Sequence, residues 1–361
     1  MTESVLDIPL RDNRDADEFV RAAMEWHFNP DTGSPFWLRK AADFGFDPRT
    51  DVKSHDDLAL FPNVVNELRD VPVEDLLPKG YGGSAPILGV YESGGTTGAP
   101  KRVVILRDWW DQVFAEVGAR LDDRGFPRGV NWLAMTPSGP HVIGDTMTRH
   151  ALDRGGVAFT IDLDPRWVRK LIAGGRAEEA DAYTDHLIAQ AASVLRTQKV
   201  GVLMTTPPML SRLARHDDLI GLINEKVSAI LWGGAHLDAD TRDLLRTDVF
   251  PDVELCGAYG STMIGGGPTI ERPGVDESVF DPMSPAITFS VIDPATGRPV
   301  PHGERGQVVM HHVSRSMLLP NNLERDVATR VEPAPGLVGD ALAAVSPVPV
   351  FENEAVIEGV Y

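Results

Sequence analysis

Residues 91–101 read YESGGTTGAPK, with three glycines and three hydroxyl side chains interleaved between Tyr91 and Lys101. Gly94, Gly95 and Gly98 free the backbone to aim N–H groups into one concavity. Ser93, Thr96 and Thr97 add hydroxyl donors, and Lys101 adds a positive charge. Such a stretch is either a phosphate cradle or a polar surface turn. Two familiar phosphate loops are excluded by spacing. The P-loop needs four residues between its glycines and a Lys-Ser or Lys-Thr after the second, whereas Gly98 is followed here by Ala99 and Pro100, and Lys101 by Arg102. The dinucleotide fingerprint needs G-x-G-x-x-G opening a helix, whereas this stretch leads into RVVIL (102–106), a β-branched run that reads as a strand.

Outward from there the chain alternates. A helix is expected from Asp108, with Trp110, Val113, Phe114, Val117 and Leu121 at helical spacing. Short apolar runs follow at NWLAM (131–135), GVAFTI (156–161), VGVLM (200–204), SAILW (228–232) and VELCG (253–257), separated by helical patterns over 165–173 and 179–197. Strands alternating with helices predict a mostly parallel, covered sheet whose ligand lies beyond the strands' carboxyl ends. Upstream, DADEFVRAAMEWHF (15–28) reads as a helix with Phe19, Ala22, Ala23 and Trp26 on one face and Asp15 or Asp17 as cap, and 29–90 as short helices and loops. Downstream, ITFSVID (287–293) and QVVMHHV (307–313) alternate as antiparallel strands around Gly/Pro turns. The expected division is a helical and loop wrap over 1–90, an α/β ATP- and acid-binding core over 91–280, and a β-rich, barrel-like subdomain over 281–361.

Composition limits the partners. Lys and Arg number 34 against 53 Asp and Glu, a net charge of −19 that argues against a nucleic-acid backbone or an anionic membrane. The single cysteine, Cys256, excludes an intrachain disulfide framework and a Cys-rich zinc site. The acidic start has no apolar core of a signal peptide, and no apolar run reaches the roughly 18 residues of a spanning helix. A soluble, cytoplasmic protein is expected.

YESGGTTGAPK closely resembles the phosphate-binding signature of the adenylate-forming superfamily: acyl-CoA synthetases, aryl-acid activating enzymes and the adenylation domains of peptide synthetases. AYGSTM (258–263) resembles its aromatic-Gly-Ser/Thr-Thr-Glu segment, WGGAH (232–236) the Gly-Gly-Ala turn before it, LERD (323–326) the ribose-binding Asp region, and GERG (303–306) a turn of its barrel-like subdomain. WHFNPDTGSPFWL (26–38), together with LERD, resembles the adenylation proteins of phenazine-antibiotic biosynthesis, and more distantly phenylacetate–CoA ligases and bioluminescence acyl-protein synthetases. The resemblance implies an α/β fold, the large N-terminal domain of an adenylate-forming enzyme, with two helix-covered sheets and a small distorted β-barrel. It implies ATP with Mg²⁺, and an aromatic carboxylic acid converted to acyl-AMP and pyrophosphate. Ser93, Gly94, Gly95, Thr96, Thr97, Gly98 and Lys101 would hold the β- and γ-phosphates. Gly234, Ala235, Tyr259, Gly260 and Ser261 would hold adenine, Thr262 the α-phosphate and Asp326 the ribose. His141 would orient the acid, and Lys101 and Thr262 would share the catalytic work with it. His236, Gly233, Gly265 and Gly266 would line the acid pocket; for His236 a role toward acid or adenine and a purely structural one stand level, and GGGP (265–268) reads more readily as a flexible loop.

Two departures from the superfamily bear on mechanism. Met263 stands where it usually has a Mg²⁺-binding Glu, and a thioether does not suit a hard cation; Glu254, Asp145 and Glu271 are the alternatives, and no protein metal site is assigned. The chain also ends 35 residues after Asp326, without the mobile C-terminal domain and its lysine. That implies slow adenylation, or a cation from a partner. The expected partners are a small-molecule acid, an acceptor protein or downstream reductase, and a second copy in a homodimer. Three other readings remain: nitrite activation for diazo formation on an aryl amine, acyl transfer to a protein thiol, and a non-catalytic binding homologue. His311 and His312 are adjacent on a strand and so point to opposite faces, which argues against a shared metal. Cys256, in an apolar strand, reads as core.

Overall fold

The structure is a computed structural model that describes residues 4–12, 15–93, 99–348, 350–351 and 354–355. The chain opens with α1 (Ala16–Phe28), capped by the Asp15 carboxylate, which accepts from the N–H groups of Asp17 and Glu18 at 2.9 Å each. Helix α1 buries Phe19, Val20, Ala23, Met24 and Phe28. Trp26 sits off that face, its ring edge-on to Tyr81 and its indole N–H donating to the Arg315 carbonyl at 2.8 Å. Then come α2 (Pro35–Lys40), α3 (Pro48–Asp51) and a series of single 3₁₀ turns, as a Pro- and Gly-rich segment requires. Phe28, Trp37, Phe44 and Phe61 hold this segment together as an aromatic cluster.

Strands β1 (Ile87–Ser93) and β2 (Lys101–Leu106) form an antiparallel hairpin. Helix α4 (Arg107–Asp123) follows and buries Trp110, Val113, Val117 and Leu121 as expected. The next strands are β3 (Trp132–Met135), β4 (Ala158–Thr160), β5 (Val202–Thr205), β6 (Ala229–Gly233), β7 (Glu254–Tyr259) and β8 (Thr269–Ile270). They build a six-stranded sheet in the order β4-β3-β5-β6-β7-β8, parallel from β4 through β7. The connections include α5 (Val142–Asp153), α6 (Pro165–Ala173), α7 (Ala177–Thr197), α8 (Pro207–Leu213), α9 (Asp217–Lys226) and α10 (Ala239–Leu244). Every residue of β3, β5 and β6 is buried, so both faces of the sheet are covered, which is why these strands read as unbroken apolar runs.

Strands β9 (Val279–Phe280), β10 (Ile287–Asp293), β11 (Arg298–Pro299), β12 (Arg305–Val313), β13 (Leu318–Val331) and β14 (Ala341–Pro347) form a second six-stranded sheet, in the order β11-β10-β12-β13-β14-β9. A short hairpin, β15 (Val350–Phe351) and β16 (Glu354–Ala355), follows.

The chain divides into two compact units. One comprises residues 1–116, 261–269 and 279–345; the other comprises 117–260, 270–278 and 346–361. These units do not coincide with the three consecutive segments drawn from the sequence. The reason is physical: β1, β2 and the N-terminal aromatic segment belong with the antiparallel sheet of the distant C-terminal strands, and composition along the chain carries no sign of that long-range return. Among the described residues no helix is long and apolar enough to cross a membrane.

Candidate functional site

In the parallel unit the candidate residues gather at the sheet's carboxyl edge. Gly233, the last residue of β6, pairs with Ala258 of β7. A Cβ on Gly233 would stand 2.7 Å from the Ala258 carbonyl oxygen, so the strands approach here as only glycine permits. Gly234 follows at φ +78° and turns the chain off the sheet, exposed, with Ala235 half-buried and His236 exposed. On the neighbouring strand Tyr259 is half-buried and Gly260 exposed. The Gly-Gly-Ala turn and the Tyr-Gly segment therefore leave adjacent parallel strands side by side. His141 stands at the same edge, because β3 runs parallel with β5, β6 and β7 and its following loop ends at this residue. It occupies the N-cap of α5, yet its side chain makes no capping bond.

The carboxylates suggested as substitutes for the missing metal ligand are all engaged by arginines. Glu271 is wholly buried; it pairs with Arg242 at 2.6 Å, and its other oxygen accepts from the Gly257 N–H at 2.8 Å. Glu254 pairs with Arg124, and Asp145 with Arg149 one turn on. Met263 is buried. Among the described residues no group of three or more His, Cys, Asp or Glu is arranged to hold a metal. Among the described residues, Glu271, Glu254 and Asp145 are thus each committed to an arginine.

In the other unit, Ser93 and Lys101 face each other across the hairpin, at the root of the loop the sequence singled out. Gly94, Gly95, Thr96, Thr97 and Gly98 lie outside the described residues. Ser261 accepts from the Met263 N–H at 3.2 Å and so caps the 3₁₀ turn Thr262–Ile264, in which Thr262 is half-buried. Gly265 and Gly266, expected to line an acid pocket, are buried at φ +66° and +72°. A Cβ on Gly265 would lie 2.5 Å from Trp109 Nε1 and 2.8 Å from His312 Cε1. The space beside Gly265 is filled by the protein's own rings.

Asp326 lies on β13 beside a group that the sequence reading passed over. Glu324 is half-buried, and burial pushes its carboxyl up to about 7, with the Asp326 charge adding to the shift and Arg325, Lys101 and a hydrogen bond from Asn322 opposing it. Nothing in LERD marks Glu324 as unusual, since its surroundings come from strand pairing and from β2. Cys256 is buried, as its apolar strand implies. His311 and His312 are both buried and held well below the usual imidazole range by desolvation. Burial pushes the Cys256 thiol up to about 12.

A parallel sheet that carries a glycine turn and an aromatic-Gly segment on neighbouring strands presents them at the edge where α/β folds take ligands. The model of the AMP-binding enzyme family matches residues 171–317. A 4-coumarate–CoA ligase-like protein of Oryza sativa subsp. japonica is 29% identical over 125 residues, which is 34% of this chain and 21% of that protein. The matched stretch is thus about a fifth of that relative's length. Among solved structures, 2-hydroxyisobutyryl-CoA ligase in the postadenylation state, in complex with 2-HIB-AMP, superposes with a TM-score of 0.66 at 16% identity, over 94% of this chain and 69% of the ligase. The anthranilate–CoA ligase complexed with anthranoyl-AMP gives 0.51 at 14% identity, over 71% of this chain and 46% of that one. At those identities the likeness is one of fold: a mixed α/β architecture matching the N-terminal domain of adenylate-forming enzymes. The family model's match spans under half of this chain, and the likeness it shows is to that stretch.

Proposed function

We propose that this chain binds ATP and a carboxylic acid and joins them, the carboxylate oxygen attacking the α-phosphorus to give acyl-AMP with loss of pyrophosphate. The observation that carries the proposal is the pairing of Gly233 with Ala258, which sets the Gly234–Ala235 turn beside Tyr259 and Gly260 at the sheet's carboxyl edge. There a flat base can lie against backbone with the Tyr259 ring beside it. Ser93 and Lys101 take the outer phosphates together with the loop between them, Thr262 the α-phosphate and Asp326 the ribose hydroxyls. His141, at the N-cap position of α5, orients the acid. Because Glu271 is committed to Arg242 and Met263 offers no hard ligand, the Mg²⁺ that accompanies ATP is left to phosphate oxygens and water.

The acid we propose is aromatic, of the phenazine-carboxylate type, on the resemblance of residues 26–38 and 323–326. The acyl-AMP would pass to a thiol, an amine or a reductase, and a secondary-metabolite route suits such an acid. The test is pyrophosphate release from ATP against a panel of aryl, phenazine and short aliphatic acids, with and without nitrite and an aryl amine. Release dependent on one aryl acid supports the reading. Release with aliphatic acids alone refutes the aromatic substrate, release that needs nitrite assigns the diazo reaction, and ATP binding without release under any condition refutes adenylation.

A further inference from the structure

Strand β13 departs from a regular ladder where the candidate ribose carboxylate lies. Val309 pairs with Leu323 and Gln307 with Val327, so two steps along β12 face four along β13. Glu324, Arg325 and Asp326 lie between these pairs where β12 has only Val308, an excess of two residues and a bulge of the kind that re-aims side chains. Two amides fix it. The Gln307 side chain donates to the Glu324 carbonyl at 2.7 Å, and the Asn322 side chain donates to Glu324 Oε1 at 2.6 Å. Backbone and carboxyl of Glu324 are therefore both clamped, next to a second acid and within the field of Lys101.

We propose that Glu324 is the positioning residue for Asp326, setting how that carboxylate meets the hydroxyls of a bound nucleotide's ribose. The role rests on the reading of Asp326 given under the proposed function. The charged groups acting on Glu324 are Asp326 and Arg325 from its own strand and Lys101 from β2, with Asn322 and Gln307 as neutral donors. Its carboxyl is pushed up to about 7. Below that pH it is neutral and Asp326 is the acidic charge of the bulge. Above it a second negative charge appears beside Asp326, and the two like charges push that carboxylate away from the position in which it meets the ribose hydroxyls. ATP binding should therefore weaken as pH rises through neutrality.

The experiment is calorimetric titration of the full chain with ATP and with 2′,3′-dideoxy-ATP at pH 6 and pH 8, for wild type, Glu324→Gln and Asp326→Asn. The ligand's own ionisation is common to all three chains and cancels in their ratios. Wild type should lose on the order of tenfold more affinity for ATP than Glu324→Gln does between the two pH values. Glu324→Gln should show only the pH dependence that the ligand itself brings. The difference should shrink for the dideoxy nucleotide and in Asp326→Asn. Parallel pH profiles in wild type and Glu324→Gln overturn the proposal, as does a Glu324→Gln chain weakened equally at both pH values, which is what a merely structural role predicts. Failure of the underlying reading looks different: no chain binds ATP at either pH, while carbon-13 NMR of the unliganded protein still shows a glutamate titrating near neutrality that Glu324→Gln removes.

Discussion

The two sheets build their candidate residues in opposite ways. At the edge of the parallel sheet the work falls to backbone: glycine removes a Cβ that would collide with Ala258, and Gly234 takes a left-handed turn. On the antiparallel sheet it falls to side chains displaced by a bulge, where Glu324 and Asp326 sit as two acids in one field. The first arrangement is rigid because it follows from strand pairing. The second depends on protonation and on two side-chain amides, so it responds to its surroundings. The units also differ in what they bury. The antiparallel unit encloses His27, His311 and His312, while the parallel unit encloses His150 and the Arg242–Glu271 pair.

The largest expected consequence is a difference in acid sensitivity. Burial holds His27 at about 4 and His312 at about 3, against 6.5 for the free side chain. The folded state thus refuses protons that the unfolded chain accepts below pH 6.5, and stability falls as pH drops. The slope is about 1.4 kcal/mol per pH unit for each such histidine. His150, at about 3 through burial and the Arg154 charge, gives the parallel unit a single share. Hydrogen exchange between pH 6.5 and 5 should show the antiparallel unit opening first; simultaneous opening would break the contrast. Glu324 works in the other direction, its raised carboxyl making folding less favourable as pH climbs from about 4.5 to about 7.

Next in size, Arg242→Ala leaves Glu271 charged and buried without its partner, which costs about 3–5 kcal/mol. Arg242→Met combined with Glu271→Gln should recover most of that loss in urea unfolding, since the glutamine oxygen still accepts from the Gly257 N–H. If the double variant is no better than the single one, the pair contributes more than mutual neutralisation. The smallest effect is expected from Gln307→Leu, which removes one hydrogen bond from the bulge at a cost of about 1 kcal/mol. ATP affinity should fall further than stability does, and a change in stability alone would mean that the bulge and the nucleotide are independent.

The sequence made some of this architecture legible and hid the rest for identifiable reasons. The apolar runs at 131–135, 200–204, 228–232 and 253–257 name the parallel strands because each is buried on both faces. Asp15 announced the start of α1 because an N-cap is a local device. The Gly-Gly-Ala turn and AYG segment were legible as motifs, and the strand register explains why they belong together. Glu324 was not legible: its surroundings come from Gln307 on β12, Asn322 on its own strand and Lys101 on β2, contacts that no local pattern encodes. The neighbours of Gly265 were hidden for the same reason: Trp109 and His312 stand roughly 150 and 45 positions away along the chain.

The bulge in β13 adds an even number of residues, two, relative to β12. Inside and outside positions therefore alternate in the same phase before and after it. A deletion of one residue there would turn every later side chain of the strand to the wrong side. A deletion of two would erase the acid pair and leave the sheet in phase. The acid pair of this strand is thus carried as an insert that the scaffold on either side does not need.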